Sequence, residues 1–100
     1  MDIKELTNRM HKFVRDQGWY KSDSLKPQTL RNLAISLSLE ANEVLENFQW
    51  NEQQGDTEAL SEELADVALY LLQIASLASI DLEKAILEKL EKNYLRDWKP

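Results

Sequence analysis

The chain of 100 residues contains no cysteine, two glycines, two prolines and one histidine. Without cysteine it can form no disulfide framework, no thiolate zinc site and no cysteine nucleophile. With so little glycine it has no glycine-rich loop of the kind that cradles a dinucleotide or a triphosphate. The single histidine, His11, argues against a di-iron bundle, which uses paired Glu-x-x-His motifs. We expect His11 to be a surface or packing residue.

Positive charge is also scarce, because 12 Lys and Arg stand against 18 Asp and Glu, giving a formal net charge of −6. Binding to nucleic-acid backbones needs clustered Lys and Arg, so we expect no nucleic-acid polymer as a partner. The longest uncharged stretch, residues 67–80, is too short to cross a membrane and predicts a buried helix. The charged N-terminal segment lacks the apolar region of a signal peptide. These features favour a cytoplasmic protein that does not contact membranes.

The residues that are abundant favour helices. Apolar residues make up 43% of the chain, and they recur at helical spacing in four segments, which predicts one all-α domain over residues 1–100. The expected limits are Ile3 to about residue 17, Pro27 to about Trp50, Asp56 or Thr57 to about Ala78, and Asp81 to about Tyr94. Pro27 suits a first helical position, and the Asp and Thr residues suit N-caps. Residues 51–55 form a short connection.

The second and third helices are apolar over more than one face, as Ile35, Leu37 and Leu39 show in the second. A helix that is apolar all round needs more cover than one copy of so small a chain supplies. The pattern therefore predicts a homo-oligomer with isologous packing.

Two carboxylates interrupt the apolar stripe of the second helix. Glu40 lies one heptad after Leu33, where another apolar residue is expected, and Glu43 follows three residues later. The third helix repeats the pattern with Glu63 and Asp66. Residues three apart lie on one face of a helix, so each helix carries an acidic pair within its own seam.

The short connection makes these helices antiparallel neighbours. At about 1.5 Å rise per residue, Glu40 and Glu43 lie roughly 15 and 10 Å from the end of the second helix. By the same rise, Glu63 and Asp66 lie roughly 9 and 14 Å from the start of the third helix. We therefore expect all four carboxylates to meet at one level of the helical hairpin.

Four partly buried acids cannot all ionise without a counter-charge. A hard divalent cation with oxygen ligands, Mg²⁺ or Mn²⁺, would resolve the conflict and keep positions open for water and phosphate. The competing interpretation is that these are solvated helix faces, since Glu-x-x-Glu also occurs at 43/46 and 88/91.

A nucleotide bound at such a site would need contacts for its base and its phosphates. Trp19 and Trp50 offer aromatic surfaces on which a base can stack. On the fourth helix, Lys89 and Asn93 share a face and can meet phosphate oxygens. The alternatives are that Trp19 only anchors its loop and that Lys89 only compensates the helix dipole.

The two acidic pairs resemble the signature of the MazG-type all-α nucleoside triphosphate pyrophosphohydrolases. Their flanking sequences, LRNLAISLSLEANEVLENFQW, EELADVALYLLQIA and KLEKN, look like those of the dCTP pyrophosphatase subgroup. The resemblance covers about residues 13 to 96.

The resemblance implies a four-helix MazG-like bundle that hydrolyses a nucleoside triphosphate to monophosphate and pyrophosphate with Mg²⁺. Family members assemble as homodimers or homotetramers, and neighbouring subunits complete their pockets. The residues that match the family's site fall into three groups. They are Glu40, Glu43, Glu63 and Asp66 as catalytic metal ligands, Lys89 and Asn93 at the polyphosphate, and Trp19 and Trp50 beside the base.

The leading hypothesis is an enzyme that removes a dCTP-like or modified deoxynucleotide from the nucleotide pool. Two alternatives stay open. One is a related pyrophosphohydrolase that acts on dUTP or phosphoribosyl-ATP, and the other is a non-catalytic helical oligomerisation module.

Overall fold

The computed structural model describes residues 1–50, 52–53 and 55–98. Over these residues the chain forms four α-helices and no strand, which confirms the all-α prediction. The helices are α1 (Ile3–Asp16), α2 (Leu30–Glu46), α3 (Thr57–Leu77) and α4 (Leu82–Leu95). Of the predicted connection at 51–55, Asn51 and Gln54 lie outside the described residues.

Each helix begins with a side chain that caps its free backbone N–H groups, as the abundance of Asp and Thr before the apolar segments favours. The N-caps are Asp2, Thr29, Asp56 and Asp81. Asp56 accepts hydrogen bonds from two backbone N–H groups, and Asp81 accepts one. The sequence predicted the cap at Asp81 and gave Asp56 and Thr57 as alternatives for α3, of which Asp56 is the cap.

The predicted start of the second helix at Pro27 is wrong, because α2 begins at Leu30. The Thr29 hydroxyl accepts a hydrogen bond from the backbone N–H of Asn32 at 3.1 Å. The Asn32 side chain donates in turn to the Pro27 carbonyl at 3.0 Å. These two bonds favour an extended Thr29, with ψ of 156°, over a helix that starts three residues earlier.

The predicted end of this helix at Trp50 is also wrong, because α2 ends at Glu46. Beyond it, the N–H groups of Asn47, Phe48 and Gln49 donate to carbonyls three residues back, at 2.9 to 3.3 Å. The chain therefore tightens into 3₁₀-type turns and does not continue as an α-helix.

The third helix forms the centre of the fold, since α1, α2 and α4 all contact it. Contacts between α2 and α3 run in opposite order along the two helices. Asn47 meets Glu63, and Gln28, just before α2, meets Gln73. The two helices are therefore antiparallel neighbours. Leu33 of α2, only 2% exposed, is the most deeply buried apolar side chain among the described residues.

The fourth helix leaves the others, because its axis lies at 103° to that of α3. The Cα radius of gyration is 16.2 Å, against about 13 Å for a compact 100-residue domain. Large apolar side chains on several helices stay exposed as a result. Examples are Leu39, Leu45, Leu64, Ile86, Leu90 and Leu95.

Among the described residues, no individual helix has both the length and the apolar character needed to cross a membrane, and α3 with α4 passes that test only as a pair bent by 103°.

Candidate functional site

The facing sides of α2 and α3 carry a cluster of carboxylates around Glu40. The Oε2 atom of Glu40 is buried and has no hydrogen-bond donor. The charges of Glu43, Asp66 and Glu63 all act on it. The structure thus brings the four sequence-predicted acids into one neighbourhood, although α2 ends four residues earlier than expected.

The pKa of Glu40 is raised above its ordinary value of 4.5, and burial is the largest cause. The second cause is the side chain of Glu43, which lies within hydrogen-bonding reach. Two ionised carboxylates can only accept hydrogen bonds, so this contact is repulsive until one of them takes a proton. Repulsion from Asp66 and Glu63 adds to the effect.

Asn47 is a residue of this site that sequence reasoning missed. Its side-chain amide donates one hydrogen bond to Oε2 of Glu63 and another to the carbonyl of Glu43, the latter at 3.2 Å. Asn47 therefore links the end of α2 to the acidic pair of α3. Its place four residues after Glu43 was the available signal, because residues four apart meet on a helix surface.

The cluster fits the chemistry of a hard divalent cation. One buried carboxylate oxygen has no donor and lies next to three further carboxylates. The cluster therefore offers several oxygen ligands that a bound cation would neutralise. The side chains themselves do not converge as ligands. Within the described part of the chain, no three His, Cys, Asp or Glu groups are placed to hold one ion. Glu63 is instead engaged by Asn47.

A cavity of about 740 Å³ lies beside the cluster, with Asp66 in its wall. This volume falls in the range of small-molecule sites. The wall is mainly apolar and includes Leu33, Leu69 and Tyr70. Arg9 and Lys26 also line the cavity and supply positive charge. The arrangement suits a ligand with both an apolar and an anionic part.

Trp19 lines the same cavity and lies on the loop after α1. Gly18 makes this placement possible, because its φ of 76° is in the left-handed region that glycine adopts without strain. The Trp19 N–H then donates to the Val14 carbonyl at 3.2 Å, closing a Schellman motif. The Trp19 ring meets Phe13 edge-on, and Lys26 Nζ lies 5.0 Å from a ring centroid of Trp19.

The structure does not bring the other three predicted substrate residues to this cavity. Trp50 is 91% exposed beyond the end of α2. Lys89 and Asn93 lie together on α4, where they line a separate hollow of about 290 Å³ with Ile86 and Leu90. The side-chain Oδ1 of Asn93 is buried there without a hydrogen-bond partner.

Gln28 and Gln73, which line the cavity, belong to a network of hydrogen-bonded polar side chains that the sequence did not reveal. Gln73, only 3% exposed, donates from Nε2 to the Tyr20 hydroxyl at 3.2 Å and to Gln28 Oε1 at 2.8 Å. The hydroxyl of Tyr20 lies 2.7 Å from His11 Nδ1, and His11 Nε2 lies 2.7 Å from Ser76 Oγ. His11 is thus a packing residue with both ring nitrogens engaged.

Burial and the nearby Arg15 lower the pKa of His11. Burial raises the pKa of Tyr20. Both directions favour neutral side chains in this network. The available signal in the sequence was a glutamine in the middle of the uncharged stretch 67–80.

Known proteins resemble this chain in sequence, and a solved structure resembles it in fold. The human protein dCTP pyrophosphatase 1 is 39% identical over 75 residues, and the rat protein of the same name is 36% identical over 75 residues. The aligned part is 66% of this chain, and it spans 44% of the length of these relatives. The crystal structure of a pyrophosphatase from Archaeoglobus fulgidus superposes with a TM-score of 0.76 at 36% identity, covering 96% of this chain and 92% of the other. Residues 35–98, more than half of the chain, match the MazG-like family. The chain therefore belongs to the MazG-like family.

Proposed function

We propose that this protein is a Mg²⁺-dependent nucleoside triphosphate pyrophosphohydrolase. It converts a nucleoside or deoxynucleoside triphosphate and water into the monophosphate and pyrophosphate. The substrate is a dCTP-like or modified deoxynucleotide, and the role is housecleaning of the nucleotide pool. Because that pool is cytoplasmic, we assign the protein to the cytoplasm. The names of the relatives and of the structural neighbour support this reaction class.

The observation that carries the proposal is the unpartnered, buried oxygen of Glu40 among three further carboxylates. Burying an ionised carboxylate without a donor or a counter-charge is costly. A fold that keeps four acids in this position gains from a cation that binds there. Glu40, Glu43, Glu63 and Asp66 would hold the Mg²⁺, with Mn²⁺ as a substitute.

When bound, the cation would neutralise phosphate charge and make a water molecule more acidic. A carboxylate of the cluster would orient the attacking water and take up its proton. The water oxygen would form a bond to one of the α and β phosphorus atoms while the bond from that same atom to the oxygen bridging the two breaks. Pyrophosphate then leaves, and the monophosphate remains.

The base end of the substrate occupies the cavity beside Asp66. Trp19 stands at its wall as the aromatic surface on which a base stacks, an interaction worth about 1–3 kcal/mol. Arg9 and Lys26, which line the same cavity, are placed to attract the anionic part of the ligand. Trp50 is exposed in the single copy, and it would contact the base only where a further surface covers it.

We further propose that the active form is a homodimer or homotetramer. The exposed apolar side chains of α2, α3 and α4 favour burial against a second copy. Lys89 and Asn93 adjoin two of them, Ile86 and Leu90, in the hollow on α4. A second copy packed on α4 would bring both polar groups next to the phosphates bound in its own site. Size-exclusion chromatography with light scattering measures the mass of the assembly.

The direct test is to incubate the protein with Mg²⁺ and each common NTP and dNTP separately, and to identify the products by chromatography. We expect monophosphate and pyrophosphate from wild type and neither product from Glu63→Ala. A Glu46→Ala variant is the matched control, because Glu46 is an exposed acid on the same helix pair as the cluster and should keep the activity.

Other products would refute the proposal. Diphosphate with orthophosphate would mean that a different bond is cleaved. An absence of turnover with every nucleotide, together with an unchanged melting temperature in Mg²⁺, would instead favour the non-catalytic oligomerisation module.

A further inference from the structure

The side-chain amide of Gln28 lies in the cavity wall and uses only part of its hydrogen-bonding capacity. Its Oε1 accepts from the buried Gln73, and its Nε2 donates to the carbonyl of Lys26 at 2.7 Å. A primary amide carries two N–H donors. Among the residues that the structure describes, the second N–H of Gln28 has no protein acceptor, while Gln28 lines the cavity.

Gln73 and the Lys26 carbonyl together determine which way this amide is turned. Both hydrogens of Gln73 Nε2 are used, one on Gln28 Oε1 and one on the Tyr20 oxygen. If the Gln28 amide were rotated by 180°, two N–H groups would face each other and its Oε1 would face the Lys26 carbonyl. Both new contacts would be repulsive, and a buried donor without an acceptor is costly.

The network behind Gln73 accommodates this orientation when the His11 proton is on Nε2. With Gln73 donating to the Tyr20 oxygen, the Tyr20 hydroxyl donates to His11 Nδ1, and His11 Nε2–H donates to Ser76. Every hydrogen in this series meets an acceptor. In this tautomer of His11, four side chains on α1, α3 and the loop after α1 support the orientation of Gln28 that the Lys26 carbonyl also favours.

We propose that Gln73 is a positioning residue for substrate selection, holding the Gln28 amide so that an N–H donor is presented to a ligand in the cavity. Gln28 then selects nucleotides whose base offers a hydrogen-bond acceptor at that point. The inference rests on the proposed function and deepens it. A site that must hydrogen-bond its ligand rejects an isosteric ligand that lacks the matching group.

The substrate pair dCTP and dUTP provides the test, because their bases have the same shape but reversed donors and acceptors at positions 3 and 4 of the ring. The readout is the ratio of kcat/KM for the two substrates in Mg²⁺. We expect this ratio to differ from one by about tenfold or more in wild type. Gln28→Met, which removes the donor, brings the ratio to within about threefold of one.

Gln73→Met is the decisive variant. Gln73 also lines the cavity, but both of its N–H groups are engaged by Gln28 and Tyr20, so its donors act on a ligand only through Gln28. We expect Gln73→Met to bring the ratio toward one, as Gln28→Met does. The double variant should bring it no closer to one than either single variant, because the two residues act as one unit. Gln17→Met, at the exposed end of α1, is the matched control and keeps the wild-type ratio. Should Gln73→Met fail to fold, Tyr20→Phe replaces it, because it removes the acceptor that holds the second hydrogen of Gln73.

Three results would overturn the inference. The first is a wild-type ratio near one. The second is a wild-type ratio that survives in Gln73→Met or, in its place, in Tyr20→Phe. The third is additive loss in the double variant, which a separate structural role of Gln73 would produce. All three presuppose release of pyrophosphate by wild type. If wild type hydrolyses no nucleotide, the proposed function itself fails and this inference with it.

Discussion

Replacing Glu40 by glutamine should stabilise the metal-free protein. In the folded chain, Glu40 Oε2 is buried without a donor, and three other carboxylates repel its charge. Glutamine has nearly the same shape, carries no charge, and brings two N–H donors that a neighbouring carboxylate such as Glu43 can accept. The substitution therefore removes an unfavourable interaction and adds a hydrogen bond.

The magnitude follows from the unsatisfied oxygen. A buried polar group without a partner costs about 1–3 kcal/mol, so we expect Glu40→Gln to raise the free energy of unfolding by about 1–2 kcal/mol. For a domain of this size, 1 kcal/mol corresponds to a shift in melting temperature of about 4–8 °C. The expected increase is thus about 4–16 °C.

The effect must depend on pH, because it comes from the charge of Glu40. The pKa of Glu40 is higher in the folded chain than its ordinary 4.5. Its protonated form therefore stabilises the fold below about pH 4.5, and this contribution is lost as the pH rises through the folded-state pKa. The difference between variant and wild type should be largest at neutral pH and vanish near pH 4.

Circular dichroism melts in EDTA, at pH 7.5 and pH 4, measure this difference. Glu46→Gln, an exposed acid one turn beyond Glu43, is the control and should melt as wild type does. Addition of Mg²⁺ should then reverse the order. At one hundred times the dissociation constant, wild type gains about 2.7 kcal/mol, which exceeds the expected advantage of the variant. Glu40→Gln gains no more from Mg²⁺ than from Na⁺ at equal ionic strength. A variant that melts below wild type at pH 7.5 in EDTA would refute the reasoning.

Three further substitutions test other parts of the structure. Leu33→Ala should destabilise the fold by about 2–5 kcal/mol, measured by urea unfolding, because Leu33 is fully packed; a loss below 1 kcal/mol would place the core elsewhere. Asn47→Ala should weaken Mg²⁺ binding about tenfold in calorimetry with little change in melting temperature, since Asn47 orients Glu63; unchanged affinity would contradict this. Wild-type stability should fall as the pH drops below 6.5, because the pKa of His11 is lowered in the folded chain, and the fall should be smaller in His11→Asn.

The number of helices and most of their starts could be predicted from the sequence, because apolar periodicity and capping side chains are local signals. The cap at Asp81 is predicted in this way, and the cap of α3 is narrowed to Asp56 or Thr57. The limits of α2 could not, since they depend on competing side-chain contacts. Thr29 outcompetes Pro27 as the start of the helix, and the chain tightens after Glu46 into 3₁₀-type turns.

The acidic residues stood out because charge within an apolar stripe contradicts the pattern around it. The buried network did not stand out, because Gln73 has no sequence signal beyond being polar in an apolar stretch. The role of Gln73 depends on partners far away along the chain, Tyr20 and Gln28. Lys89 and Asn93 share a helical face as predicted. Neither of them lines the cavity beside the acids, and their role in binding phosphate stays a prediction.

The binding of Mn²⁺, followed by electron paramagnetic resonance, tests most directly whether Glu40, Glu43, Glu63 and Asp66 form a metal site. The signal of free Mn²⁺ should fall as wild type is added and reach a fixed stoichiometry per chain. Glu40→Gln and Glu63→Gln should leave the Mn²⁺ free, while Glu46→Gln should bind it as wild type does. Equal binding by all four proteins would show that the ion associates with the acidic surface in general, and would contradict a site built from these carboxylates.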